Sequence, residues 1–278
     1  AVFGDDFKEG NDIYAYFESR KGLVVVKPEE SWSIGSDADL KLKKKIEQKG
    51  KMLKDWNVSV YRGVTTGYNP AFIIDRKIRA ELIAANPNSS EIIKPLLQGR
   101  HIKKWIYHGA NESIIFTRKG ISIDLYPEIE DYLRNFFDEL KPREGDAECG
   151  RKPGNYKWYE IQDNTAYFKE FEKPKIVWGL TADKWAFAYD DGGHYLPSNG
   201  YILTSQGPDP KYILAILNSR VMKYYFSHIG VMTAGGAYTL KHSTILDLPV
   251  VESSNTMEIV KLVDAILAGK KSNSDTSS

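Results

Sequence analysis

The apolar residues of this chain keep no single rhythm. Short strand-like runs and helical stripes follow one another with no regular strand–helix–strand alternation, and that mixture indicates an α+β fold. Strands are expected at 22–28 (through Leu23-Val24-Val25-Val26), at Phe72-Ile73-Ile74 and at Ser113–Thr117. Further strands are expected at Lys175–Leu180, Trp185–Tyr189, Gly200–Thr204 and Ala237–Leu240. Asp190-Asp191-Gly192-Gly193 has the composition of a hairpin turn between two of them.

The clearest helical stripe is Ile129, Leu133, Phe136, Phe137 and Leu140, opened by Pro127 in its first turn. A charged helix is expected over 38–54, with Leu42, Ile46 and Leu53 on one side. Another is expected from Asp75 to Ala85, stopped by Asn86-Pro87. Asp209-Pro210 caps one that continues through Leu217 and Tyr224 to about His228. A last helix, Met257–Ala268, carries Val260, Val263 and Leu267 on one stripe and ends at Gly269. The polar tail from Lys270 to Ser278 is expected to be disordered. Residues 141–156, with Pro142, Gly145, Gly150, Pro153 and Gly154 among charges, read as a long irregular loop.

With 278 residues and 42% hydrophobic content the chain can bury a sizeable core. Its 38 basic side chains nearly balance 37 acidic ones, so no whole-molecule positive field exists. A nucleic-acid partner would require the cations to gather on one face. One cysteine, Cys149, excludes an internal disulfide framework and suggests a reducing, cytoplasmic compartment. No apolar run approaches membrane-spanning length. The chain opens on Ala1 rather than Met and reads as a piece of a longer protein.

Five segments occur in a telling order. They are Gly63-Val64-Thr65-Thr66-Gly67-Tyr68-Asn69-Pro70-Ala71-Phe72-Ile73-Ile74-Asp75, Pro95-Leu96-Leu97-Gln98-Gly99-Arg100-His101-Ile102-Lys103-Lys104-Trp105, Lys173-Pro174-Lys175-Ile176-Val177, Tyr212-Ile213-Leu214-Ala215-Ile216-Leu217-Asn218-Ser219 and Leu248-Pro249-Val250. Together they resemble the TaqI-like target-recognition domain, the C-terminal specificity part of type IIG restriction enzymes and DNA adenine methyltransferases. The likeness spans about residues 30 to 250. It implies a twisted, mostly antiparallel β-region with peripheral helices. It divides the chain into a connector at 1–55 that could include the end of a methyltransferase domain, a DNA target-recognition domain at 56–252, and a C-terminal helix and tail at 253–278. It also implies double-stranded DNA as partner, an N-terminal methyltransferase domain in the same protein, and S-adenosylmethionine as that domain's cofactor. None of these implies a cofactor or an active site in this chain.

The residues themselves favour reading over catalysis. Asn69-Pro70-Ala71-Phe72 approaches the tetrad with which methyltransferases hold a flipped base, but it lacks the second proline, and no glycine-rich cofactor loop follows a strand. Glu47-Gln48-Lys49 has the letters of a metal-dependent nuclease motif, yet it lies in a lysine-rich helical pattern. The five histidines are scattered, without zinc spacing.

DNA binding needs cations on phosphates and polar side chains on base edges. Arg100, Lys103 and Lys104 cluster beside Trp105, and Thr65 and Thr66 sit in a loop between two glycines. The region from Arg118 to Lys184 fits the family pattern least. By the resemblance it carries the variable reading surface, with Arg118, Lys119, Arg143, Arg151, Lys152, Lys157 and Lys184 as candidates. Arg151-Lys152 most resembles an arm entering a groove. Lys175 and Lys241, near strand starts, are backbone-contact candidates. Two rivals stand beside DNA reading: a metal-dependent nuclease, which needs Glu47 and Lys49 to converge with another carboxylate in a cleft, and half of a specificity subunit or assembly module, which needs an exposed apolar stripe on the last helix.

Overall fold

The computed structural model describes residues 12, 14–15, 37–145, 148–163, 166–233 and 235–275. The strand expected at 22–28 lies outside them. The chain divides into two units, 1–50 and 51–278. The described part of the first is chiefly helix α1 (Asp37–Lys49). The second unit begins with β1 (Lys51–Met52), whose following residue, Leu53, is fully buried.

Four strands form the central antiparallel sheet. β2 (Val58–Arg62) lies at one edge. A helical turn, α2 (Asn69–Phe72), then leads into β3 (Ile73–Ile74), so Phe72 closes the turn rather than opening the strand. α3 (Arg76–Ala85) starts where Asp75 accepts a hydrogen bond from the Ile78 amide at 2.9 Å. β4 (Ile93–Leu96) and β5 (Glu112–Ile115) pair antiparallel, with β3 on the other side of β5. α4 (Pro127–Arg134) and α5 (Phe137–Leu140) replace the single helix read from the stripe. The break is local: the Asn135 amide side chain donates to the carbonyls of Asp131 and Tyr132, competing with the helix's own ladder. Ile129, Leu133 and Leu140 are nonetheless fully buried.

β6 (Lys175–Gly179) is buried at every residue, as its apolar run requires. β7 (Thr181–Ala182), β8 (Ala188–Asp190) and β9 (Gly200–Ser205) follow. The sheet order is β2-β9-β6-β8, so β8 and β9 do not form the expected hairpin. β6 lies between them, and the chain after Gly193 turns instead to β4, where the Tyr195 amide donates to the Pro95 carbonyl at 2.8 Å.

α6 (Pro210–Leu217) and α7 (Arg220–Ile229) are separate helices. Asn218 caps the end of α6, its side chain both donating to and accepting from the Phe187 backbone, at 2.9 and 3.2 Å, and the chain leaves the helical path at Ser219. Ser219 then caps the new helix through the Met222 amide. Two further strands, β10 (Val231–Met232) and β11 (Tyr238–Thr239), join β7, and α8 (His242–Leu246) precedes β12 (Pro249–Val250), which pairs with β1. α9 (Thr256–Asp275) continues through Gly269, so part of the expected tail is helix. It packs on α6, with Val263 and Leu267 buried and Asp264 paired to Lys211 at 2.5 Å.

Beside the core lies a buried ion pair, Lys175–Asp190, across the β6–β8 ladder. The ammonium also donates to the carbonyl of Phe171, at 2.5 Å, and Asp190 accepts from His194 Nδ1 at 3.0 Å. Burial pulls the Asp190 carboxyl upward. The hydrogen bond from His194 and the charge of Lys175 outweigh it and hold the group below its ordinary 3.8. Its stabilisation is therefore complete above that value and is lost as pH falls through the lower, folded value. Asp190→Ala would strand a buried ammonium and is expected to cost about 3–5 kcal/mol in urea unfolding. Asp190→Asn is expected to flatten the stability loss that the parent chain shows on acidification below about pH 4; identical acid profiles would refute this.

Candidate nucleic-acid interface

The residue at the centre of the candidate loops is Arg151, and its position corrects the reading of it as an arm. It is buried, 3% exposed, with its guanidinium against the rings of Tyr156 and Phe72. Nε donates to the Leu140 carbonyl at 2.6 Å, and Nη1 to those of Thr66 and Glu160, both at 2.7 Å. Nη2 donates to the carbonyls of Lys157 and Trp158, at 3.3 and 2.9 Å. A guanidinium has five N–H donors in a fixed fork, and all are spent here. Burial pushes its pKa down to about 10, against the pull of Tyr156 and Glu160. Arg151 therefore builds the loops rather than reaching out of them.

The Thr65-Thr66 loop is held from several sides. Thr66 is buried, and its hydroxyl donates to Asn69 Oδ1 at 2.8 Å, which removes it from any ligand surface and explains why the polar group of the near-tetrad is occupied. Thr65 is half-buried, and its carbonyl accepts from the Asp163 amide at 3.2 Å. Gly63 lies so close to the Leu196-Pro197 backbone that a Cβ would fall 2.1 Å from the Pro197 carbonyl oxygen. Lys175 is the third correction: it is fully buried against Asp190, so it touches no partner.

The segment Gln98–Trp105 does expose cations. Arg100 donates to Gln98 and, at 2.8 Å, to Glu112, which also holds Gln98. Lys103 folds back on the Arg100 carbonyl at 2.8 Å. His101 is buried, and that burial, with Arg100 beside it, holds its pKa below the ordinary value. Lys104 rests on the Trp105 ring. Trp105 has φ of 85°, a left-handed conformation that is strained for a bulky residue. It is kept there by a ladder with β8: its amide donates to Phe187 and its carbonyl accepts from Tyr189, both at 2.9 Å.

Of the remaining candidates, Arg118 is exposed over the Phe168 ring, and Lys119, Arg143, Lys152, Lys157, Lys184 and Lys241 are exposed. The structure brings Arg100, Lys103 and Lys104 into one segment and leaves the others apart along the chain. Cations missed in the sequence are Arg220, Lys223 and Lys270, whose charges act on Lys104. The i, i+3 spacing of Arg220 and Lys223 within the expected helix was the available signal. Glu47 and Lys49 are exposed on α1, with Glu47 paired to Lys43, rather than converging at strand ends as a nuclease site needs. Among the described residues no group of three His, Cys, Asp or Glu could hold a metal ion, and no helix is long and apolar enough to cross a membrane.

The second unit is thus an α+β body of antiparallel sheets with an arginine-pinned set of loops and exposed cations. A family model described as the TaqI-like C-terminal specificity domain matches residues 94–250, and the chain belongs to that family. Among solved structures it resembles the type IIL restriction–modification enzyme MmeI in complex with DNA, at TM-score 0.53 and 13% identity over 77% of this chain. It also matches the type IIG restriction endonuclease BpuSI, at TM-score 0.48 and 11% identity over 82% of this chain. In both cases it spans 28% of the other chain's length.

Replacing Arg151 with Lys should leave at least two of the five carbonyls without a donor, because an ammonium offers three protons from one point. At about 1–3 kcal/mol per buried unsatisfied group, Arg151→Lys is expected to lose about 2–6 kcal/mol in urea unfolding. A loss under about 0.5 kcal/mol would contradict the anchoring role.

Proposed function

We propose that this chain is the sequence-reading module of a restriction–modification methyltransferase. It would bind double-stranded DNA and position it for S-adenosylmethionine-dependent adenine methylation, and for cleavage where the parent cuts, by other domains of that protein. The observation that carries the reading is membership of the specificity-domain family across residues 94–250. The chemistry supports it. The candidate residues exposed to solvent are cations (Arg100, Lys103, Lys104, Arg118, Lys152, Lys184 and Lys241), with Thr65 half-buried, while Arg151 pins the neighbouring stretches around Thr66, Leu140 and 157–160. Rigid elements place reading groups better than free loops do.

The assembly-module reading loses the stripe it needed. Val263 and Leu267 are buried and Val260 is half-buried, with α9 packed on α6. Met257, Leu262 and Ile266, exposed elsewhere on α9, are what a docking role would use.

Selection from a randomised duplex pool at low salt tests the proposal. A short enriched motif is expected, with bulk affinity of about 10⁻⁴–10⁻⁶ M typical of binding to unselected DNA. Retention without enrichment would reduce the chain to a generic phosphate binder, and no retention at any salt would remove DNA as its partner. Arg118→Ala is expected to change the preference at one motif position, at a cost of about 1–3 kcal/mol for the preferred base.

A further inference from the structure

We infer that Lys104, Arg220, Lys223 and Lys270 form one patch that holds phosphates of a DNA duplex, outside the 118–184 region where base reading is placed; this rests on the DNA-reading proposal above. The four come from three distant parts of the chain, and β8 gathers them. The Phe187 carbonyl, just before β8, accepts from the Trp105 amide, next to Lys104. The same carbonyl accepts from the Asn218 side chain, two residues before Arg220. At the other end of β8, Asp191 pairs at 3.1 Å with Lys271, next to Lys270. Lys223 follows Arg220 by three positions on α7, so the two share a face.

All four side chains are exposed. None has a carboxylate partner among the described residues. Lys271, next to Lys270 in the chain, takes Asp191, and Lys211 on α6 takes Asp264 of α9. Those two acids are thus already paired, while the four cations of the patch are not. Mutual repulsion agrees: partial burial first, then the charges of Arg220, Lys223 and Lys270, lower the Lys104 pKa. Like charges held together without a counter-ion favour a polyanion, and the regular spacing of duplex phosphates can satisfy several at once. Trp105, next to Lys104, holds its left-handed φ of 85° within the ladder to β8.

The test uses the whole chain and a labelled random-sequence 40-bp duplex, titrated at several salt concentrations. Arg220→Gln/Lys223→Gln/Lys270→Gln is compared with a charge-matched control, Lys54→Gln/Lys77→Gln/Lys173→Gln, whose lysines are exposed and ion-paired. Each phosphate contact contributes about 0.9 to the slope of log K against log salt. The patch variant should therefore lose about 2–3 from that slope and bind at least about tenfold more weakly, while the control keeps the slope. Lys223→Arg/Lys270→Arg should retain it, which separates charge from packing. If the parent chain binds and the patch variant keeps both slope and affinity, the patch is wrong and the DNA reading stands. If the folded parent chain does not bind even at low salt, the DNA reading fails and the patch with it.

Discussion

Much of this molecule hangs on the ion pair between Lys175 and Asp190, buried across the β6–β8 ladder. Charges out of water are tolerated only when their partners are complete, and these are nearly so: His194 completes the carboxylate and the Phe171 carbonyl helps complete the ammonium. The pair locks the register of the sheet's edge strand. That strand then serves as the attachment line for the Trp105 turn, for Asn218 between α6 and α7, and for Lys271 of α9. One polar pair, costly to remove, thus fixes the relative positions of three segments distant in sequence.

Sheets and helices in the second unit divide the work. The β2-β9-β6-β8 sheet and the β3-β5-β4 sheet bury the core, with Tyr195 crossing from one to the other through its bridge to β4. The exposed cations sit on loops and helix ends around them, at Arg100, Lys104, Arg118 and Arg220. With charge nearly balanced overall, this local sorting is the only means by which such a chain can present a positive surface.

The fold class and most elements were legible, because burial imposes periodicity that survives in the sequence. Leu133 and Leu217 are buried where their stripes placed them. The missed features share a cause: a polar side chain doing something at long range or against its own helix. Asn135 turns on its own backbone and Asn218 turns to Phe187, so two continuous stripes became four helices. The β8–β9 hairpin failed because a Gly-Gly turn specifies a reversal, not the strand that will pair next. Arg151 looked like an arm because it stands among glycines and prolines in a charged loop, and the carbonyls it serves lie up to 85 residues away. No local pattern encodes such a set. Thr66 and Lys175 misled in the same way, since a polar residue beside a turn or strand start reads alike whether its partner is water, DNA or the protein's own interior.

Every acceptor around the Arg151 guanidinium is a main-chain carbonyl. Carbonyls are the same whichever residue bears them. The anchor is therefore indifferent to the identities of positions such as Lys157 and Trp158, so long as their backbone path is kept. A protein that must change what it reads without refolding gains from such an arrangement. Under the DNA-reading role proposed above, mutation could then rewrite the side chains of such a loop while the clasp beneath it holds, at little risk to the scaffold.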